Sequence, residues 1–161
     1  MIILKEILYK VAIESVSGST EIAIDKIEFD SRKIVANDVF VAIRGAIANG
    51  HEFIEIAINK GATAIICDTL PENLIPGITY IKVKDTNKAL AFMASNYYEN
   101  PSKNLKLIGI TGTNGKTTIA SLLYQLFKNA GFKVGLLSTV KILVDDIEYK
   151  ATHTTPDSLT I

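Results

Sequence analysis

The sequence predicts an α/β protein in two parts: a small amino-terminal α/β domain over residues 1–103, then the start of a P-loop parallel-sheet domain over residues 104–161. Three observations predict it. Between residues 22 and 97, apolar runs of strand length alternate with segments whose apolar residues recur at helical spacing. Asn100-Pro101-Ser102-Lys103-Asn104 has the composition of a linker, and Pro101 cannot continue the helix before it. Beyond the linker, an apolar run at 105–110, the loop Gly112-Thr113-Asn114-Gly115-Lys116-Thr117-Thr118 and a helix-like segment at 119–127 read as strand, glycine loop and helix.

Taken in order, residues 3–11 read as a short amphipathic helix with Leu4, Ile7, Leu8 and Val11 on one face. Ile22-Ala23-Ile24 and Ile27-Glu28-Phe29 alternate as strands do, and Val39-Phe40-Val41-Ala42-Ile43 is the continuous apolar run of a strand buried on both faces. Phe53, Ile54, Ala57 and Ile58 place a helix over 51–60, stopped by Gly61. Residues 62–67 and 78–83 return to strand, and Asp85 is placed to cap a helix through Leu90, Met93, Ala94 and Tyr97. In the second part Gly131 ends the P-loop helix, and residues 133–139 are expected to run parallel to 105–110 through a right-handed crossover. Residues 141–144 and 147–152 should pair as a hairpin across Asp145-Asp146, and Thr155-Pro156 should open a helix with Thr155 as its N-cap. A P-loop helix normally sits in a sheet of several parallel strands, and too little chain follows Lys116 to supply them, so this domain reads as cut short.

Composition narrows the function classes. Equal numbers of basic and acidic residues, 17 each, leave no formal net charge, which argues against broad electrostatic binding to nucleic acid or anionic membrane. With 48% hydrophobic residues and mean hydropathy +0.26, the chain can bury a core. Met1-Ile2-Ile3-Leu4-Lys5-Glu6 lacks a basic start and a long apolar stretch, so a cytoplasmic protein is expected. Cys67 is the single cysteine and should be a buried strand residue.

The glycine loop carries the clearest chemistry. Gly112 and Gly115 let the backbone bend tightly and approach an anion, so that N–H groups point at phosphate oxygens with help from the positive end of the helix. Lys116 is placed to reach the outer phosphates, Thr117 to ligate Mg2+ through its hydroxyl, and Thr118 to add a backbone N–H and a hydroxyl. The spacing is a shortened P-loop, because Ile110 stands where the first glycine is required. A dinucleotide fingerprint fits less well: Gly109, Gly112 and Gly115 fall three apart, and a lysine has no task there. A turn that only ends a strand and caps a helix would use the glycines but not Gly-Lys-Thr at the helix start.

Several strings converge on one family. Asp30-Ser31-Arg32, then Asp38 to Gly45, Asn49-Gly50-His51-Glu52-Phe53-Ile54 and Gly61-Ala62-Thr63-Ala64-Ile65 resemble the amino-terminal domain of the Mur ligases, which extend the peptidoglycan stem peptide. The loop from Thr111 to Thr118 matches that family's shortened P-loop, and the resemblance runs through nearly the whole chain. The tail His153-Thr154-Thr155-Pro156-Asp157-Ser158 is similar to the Thr-Thr-Pro signature of the branch that adds the third amino acid; the branch adding D-Ala-D-Ala shares the amino-terminal domain without that signature.

The resemblance implies ATP-dependent amide formation through an acyl phosphate, joining diaminopimelate or lysine to UDP-MurNAc-L-Ala-D-Glu, with ATP and Mg2+ as cofactors. It implies that Phe29 and Ser31 lie near the UDP and that Ala46, Ile47 and Ala48 form a further UDP-contacting stretch, mainly through backbone groups. Thr154 and Thr155 would touch the muramoyl-peptide part, with His153 where relatives commonly carry asparagine. A further acidic ligand, a carbamylated lysine and the domain that selects the amino acid lie downstream of residue 161 in that family, so this chain alone is expected not to turn over. Three other readings stay open: the related ligase that adds the D-Ala-D-Ala dipeptide, a non-catalytic P-loop switch, and a UDP-sugar-binding fragment whose P-loop is empty.

Some of the same residues also have plain structural readings. Asp30-Ser31 alone reads as a turn, and Arg32 as a surface partner of Asp30 or Asp38. His51 reads as a hydrogen-bonding residue at a helix start, since no second metal ligand is spaced with it.

Overall fold

A computed structural model describes residues 1–45, 48–150 and 157–160. The chain divides into two compact units, Met1–Lys103 and Asn104–Ile161.

The first unit contains β1 (Ile2–Ile3), α1 (Leu4–Ile7), β2 (Ile13–Ser17), β3 (Ala23–Ile24), β4 (Ile27–Glu28), β5 (Val39–Val41), α2 (Ile54–Asn59), β6 (Ala64–Cys67), β7 (Thr79–Val83) and α3 (Thr86–Tyr97). Its main sheet has the order β2-β7-β6-β5-β4. Strands β4 to β7 are parallel neighbours, and β2 joins β7 antiparallel at the edge. The register sets Phe40 beside Ile65 and Ile65 beside Tyr80. This row, with Ile34, Ile54, Ala57, Ala62 and Cys67, forms the core on one face. Alternation sends Val39, Val41, Ile66, Ile81 and Val83 to the other face, where they are also buried. A strand buried on both faces must be apolar throughout, as 39–43 and 64–67 are.

The termini of these elements follow local chemistry. The Asp85 carboxylate accepts from Lys88 N at 3.0 Å and caps α3 as expected. Gly61 takes φ +109° just past α2, and a Cβ there would lie 2.7 Å from Ala36 Cα. The expected helix over 3–11 shrinks to Leu4–Ile7, because Ile2–Ile3 pairs with β3 and Leu4 N and Lys5 N donate to Ile22 O and Thr20 O. Strand β2 carries no apolar alternation, its residues being largely exposed, and so left no signal in the sequence.

The second unit holds α4 (Lys116–Asn129), β8 (Gly135–Leu137), β9 (Lys141–Val144) and β10 (Ile147–Lys150). Helix α4 ends at Ala130, with Gly131 at φ +84°. The hairpin β9–β10 turns at Asp145, φ +55°. The expected parallel pairing corrects itself here: residues 105–110 form no strand, and β8 pairs antiparallel with β9 in a sheet ordered β10-β9-β8. A strand exists only with a ladder partner. Without one, Leu105, Leu107 and Ile108 stand 67%, 89% and 54% exposed. The expected Thr155 cap lies outside the described residues; beyond it, Asp157 takes the N–H groups of Leu159 and Thr160 into a turn.

Candidate functional site

In the second unit the glycine loop is shaped as its composition requires. Gly112 and Gly115 adopt φ +149° and +77°, and Gly115 is the N-cap of α4. No side chain caps that helix, which leaves the first-turn N–H groups of α4 turned to an exposed loop. The nearest atom to a Cβ at Gly115 would be Ile119 Cδ1 at 3.9 Å, so backbone conformation and not lack of space selects glycine there. Lys116 Nζ donates to the carbonyl oxygens of Gly112 and, at 3.4 Å, Thr113. Thr113, Asn114, Thr117 and Thr118 are exposed beside it. Donors without a cap, a lysine held over the loop and a hydroxyl at the second helical position make an anion cradle that suits phosphate. Among the described residues no group of three or more His, Cys, Asp or Glu side chains could hold a metal ion.

In the first unit the predicted residues follow the carboxyl ends of two adjacent parallel strands, the edge where open α/β sheets receive ligands. After β4, Glu28 Oε1 accepts from the backbone N–H of Phe29 at 3.0 Å and of Asp30 at 3.1 Å. Phe29 is half-buried and Ser31 buried, the latter opening a 3-10 turn capped by Asp30. Arg32 grips Asp30 through Nε at 2.9 Å and Nη2 at 2.8 Å, and this hydrogen bonding holds the Asp30 carboxyl down at about 2. Arg32 thus partners Asp30, at the surface.

After β5, Arg44 and Asn49 face each other as an antiparallel bridge, and Gly45 N donates to Ala48 O at 2.9 Å. Ala48 is exposed; Ala46 and Ile47, like His153, Thr154 and Thr155, lie outside the described residues.

Sequence reasoning passed over a polar cluster beside this loop. Arg44 Nε and Nη2 donate to the two carboxylate oxygens of Asp68, each at 2.8 Å, and Asp68 follows the carboxyl end of β6. Hydrogen bonding to Arg44 holds the Asp68 carboxyl at about 2. His51 Nε2 lies 3.0 Å from Asp68 Oδ1 and His51 Nδ1 3.0 Å from Asn49 Oδ1. Burial pushes the His51 pKa down against the opposing pull of Asp68. The partners stand 24 and 17 residues apart, too far for any local pattern to join them. Cys67, adjacent in sequence, is buried, and burial pushes its thiol up to about 11, which leaves it unreactive.

Two domain descriptions match this chain: "Mur ligase family, catalytic domain" over residues 23–98 and "Mur ligase middle domain" over residues 110–161. The chain belongs to the Mur ligase family. The UDP-N-acetylmuramoyl-L-alanyl-D-glutamate–2,6-diaminopimelate ligase of Cytophaga hutchinsonii is 50% identical over 159 residues, which is 98% of this chain and 33% of that protein. The protein of the same name from Clostridium tetani is 50% identical over 160 residues, again 98% of this chain and 33% of its own length. The chain therefore spans about a third of the curated relatives it matches. A solved structure bearing the same enzyme name overlays 99% of this chain and 31% of its own with TM-score 0.71 at 22% identity, a likeness of fold. Among the described residues no helix is long and apolar enough to cross a membrane.

Proposed function

We propose that this Mur ligase chain carries the nucleotide-holding parts of an ATP-dependent ligase that joins 2,6-diaminopimelate to UDP-MurNAc-L-Ala-D-Glu in peptidoglycan synthesis. The first unit takes the UDP end and the second the triphosphate of ATP. The observation that carries the reading is the α4 start: a left-handed Gly115, an uncapped helix and Lys116. The substrate comes from the relatives' names, at 50% identity along nearly all of this chain.

A carboxylate is a poor acyl donor, and ATP supplies the phosphoryl group that activates it for attack by the amine. The chain's own residues supply positioning and charge neutralisation. Backbone N–H groups from Gly112 to Thr118 line the cradle. The Lys116 ammonium exchanges the loop carbonyls for phosphate oxygens, a small cost because both carbonyls border solvent. Thr117 would hold Mg2+ together with the phosphates. In the first unit, Phe29 and Ser31 would meet the uridine end, with Ala46, Ile47 and Ala48 adding backbone contacts; His153, Thr154 and Thr155 would serve the muramoyl-peptide end.

Calorimetry on the chain tests this with two ligands separately: UDP-MurNAc-L-Ala-D-Glu, and a nonhydrolysable ATP analogue with Mg2+. Both should bind. A response to the analogue alone would favour a P-loop switch, and a response to the muramoyl dipeptide alone a UDP-sugar-binding fragment. A response to neither would refute the reading.

A further inference from the structure

We propose that Glu28 is a positioning residue for UDP recognition: its carboxylate engages the main-chain N–H groups of Phe29 and Asp30 and so presents Ser31, through its own N–H and hydroxyl, as a paired donor to an acceptor oxygen of UDP. The inference rests on the preceding assignment of Phe29 and Ser31 to the uridine end. Strand β4 pairs with β5 only through Ile27 beside Val39 and Glu28 beside Phe40, so the chain leaves the sheet directly after Glu28. From there no ladder fixes its course, and side chains do so instead. Glu28 Oε1 accepts from Phe29 N at 3.0 Å and from Asp30 N at 3.1 Å. Asp30 Oδ1 accepts from Arg32 N at 3.0 Å, and Asp30 O from Lys33 N at 2.9 Å. The N–H groups of residues 29, 30, 32 and 33 are thus all engaged within the turn.

Ser31 is the exception. It opens the 3-10 turn, where a first N–H has no partner inside the helix, and among the described residues neither its N–H nor its hydroxyl makes a hydrogen bond. Ser31 is only 8% exposed. Buried polar groups are ordinarily partnered, and the carboxyl end of a parallel strand is where open α/β sheets receive ligands, so a bound acceptor is the partner that suits this pair. Stability alone does not call for Glu28, because the Asp30 cap and the Lys33 bond already close the 3-10 turn without it. What Glu28 adds is the course of the two residues between strand and turn, and that course sets where Ser31 stands against the sheet edge. A carboxylate oxygen taking two main-chain N–H groups is a strong, directional contact, and holding the donors before the ligand arrives removes an ordering cost from binding.

The test compares two side chains of similar length, one with the acceptor and one without, and reads the chain's UDP affinity by calorimetry at a temperature where melting shows every variant folded. Glu28→Gln keeps an acceptor oxygen and should hold UDP within about threefold of the parent. Glu28→Met keeps the length but not the acceptor and should weaken UDP about tenfold. Ser31→Ala should also weaken UDP, and adding Glu28→Met to it should cost little more, because Glu28 acts through Ser31. Parent-like UDP affinity in Glu28→Met, an equal loss in Glu28→Gln, or additive losses in the double variant would each overturn the inference alone. Absence of UDP binding by the parent overturns the functional assignment, and the inference with it. Should Glu28→Met fail to fold, Glu28→Ala replaces it, unchanged UDP affinity again overturning the proposal.

Discussion

Gly50→Ala should destabilise the first unit through main-chain crowding alone. An ideal Cβ at Gly50 would lie 2.6 Å from Ile43 N, 2.7 Å from Ile43 O and 3.0 Å from Ala42 C. All three are backbone atoms of the chain leaving β5, so no rotamer change relieves the contact. Restoring an ordinary separation of about 3.4 Å requires the segments to part by roughly 0.8 Å. That stretches the Gly50 N to Ile43 O bond, now 2.8 Å, past the hydrogen-bonding range. Strain of about 1–3 kcal/mol and a lost bond of about 0.5–1.5 kcal/mol together come to about 2–4 kcal/mol. For a unit of this size the melting temperature should fall by roughly 10–25 °C, measured by scanning calorimetry on the chain. Gly77→Ala is the control: nothing lies within 4 Å of its Cβ, and only φ +86° opposes the change, at about 1–2 kcal/mol. A Gly50→Ala transition within about 3 °C of the parent, or a smaller shift than that of Gly77→Ala, would refute the reasoning.

Other outcomes follow from the same geometry. Lys116→Ala should weaken a nonhydrolysable ATP analogue at least about tenfold in calorimetry while leaving the first unit's melting unchanged, because Lys116 is exposed and, among the described residues, hydrogen-bonds within its own loop. Asp85→Ala removes the α3 cap and should cost about 1 kcal/mol in denaturant unfolding, with Asp85→Ser recovering most of it. The His51 pKa is depressed below 6.5, so the stability it contributes is present above 6.5 and lost as pH falls through the folded value. Asp68 is depressed from 3.8 to about 2, so its contribution is present above 3.8 and lost as pH falls through about 2. Unfolding measured against pH should show both declines, and His51→Gln should abolish the upper one.

Local chemistry was legible wherever a single stretch of chain decides its own conformation. The α2 and α3 periodicities, the Asp85 cap, the Gly61 stop and the apolar runs at 39–43 and 64–67 each encode their element without outside help. The P-loop is of the same kind, since Gly112, Gly115 and Lys116 are set by φ and by a helix start. Pairing was not legible to the same degree. Strand β2 exists because β7 offers it an edge, and residues 105–110 form no strand because no described strand pairs with them.

The amino-acid order alone thus determined the α/β character, the glycine turn that opens α4 and the kinship with Mur ligases, because those reside in short strings read at fixed spacing. Only tertiary structure decided which strands meet, and that Arg44, Asn49, His51 and Asp68 gather beyond the ends of β5 and β6. Those contacts join residues carried to the ends of neighbouring strands by a crossover, a juxtaposition created by the sheet and absent from any local pattern.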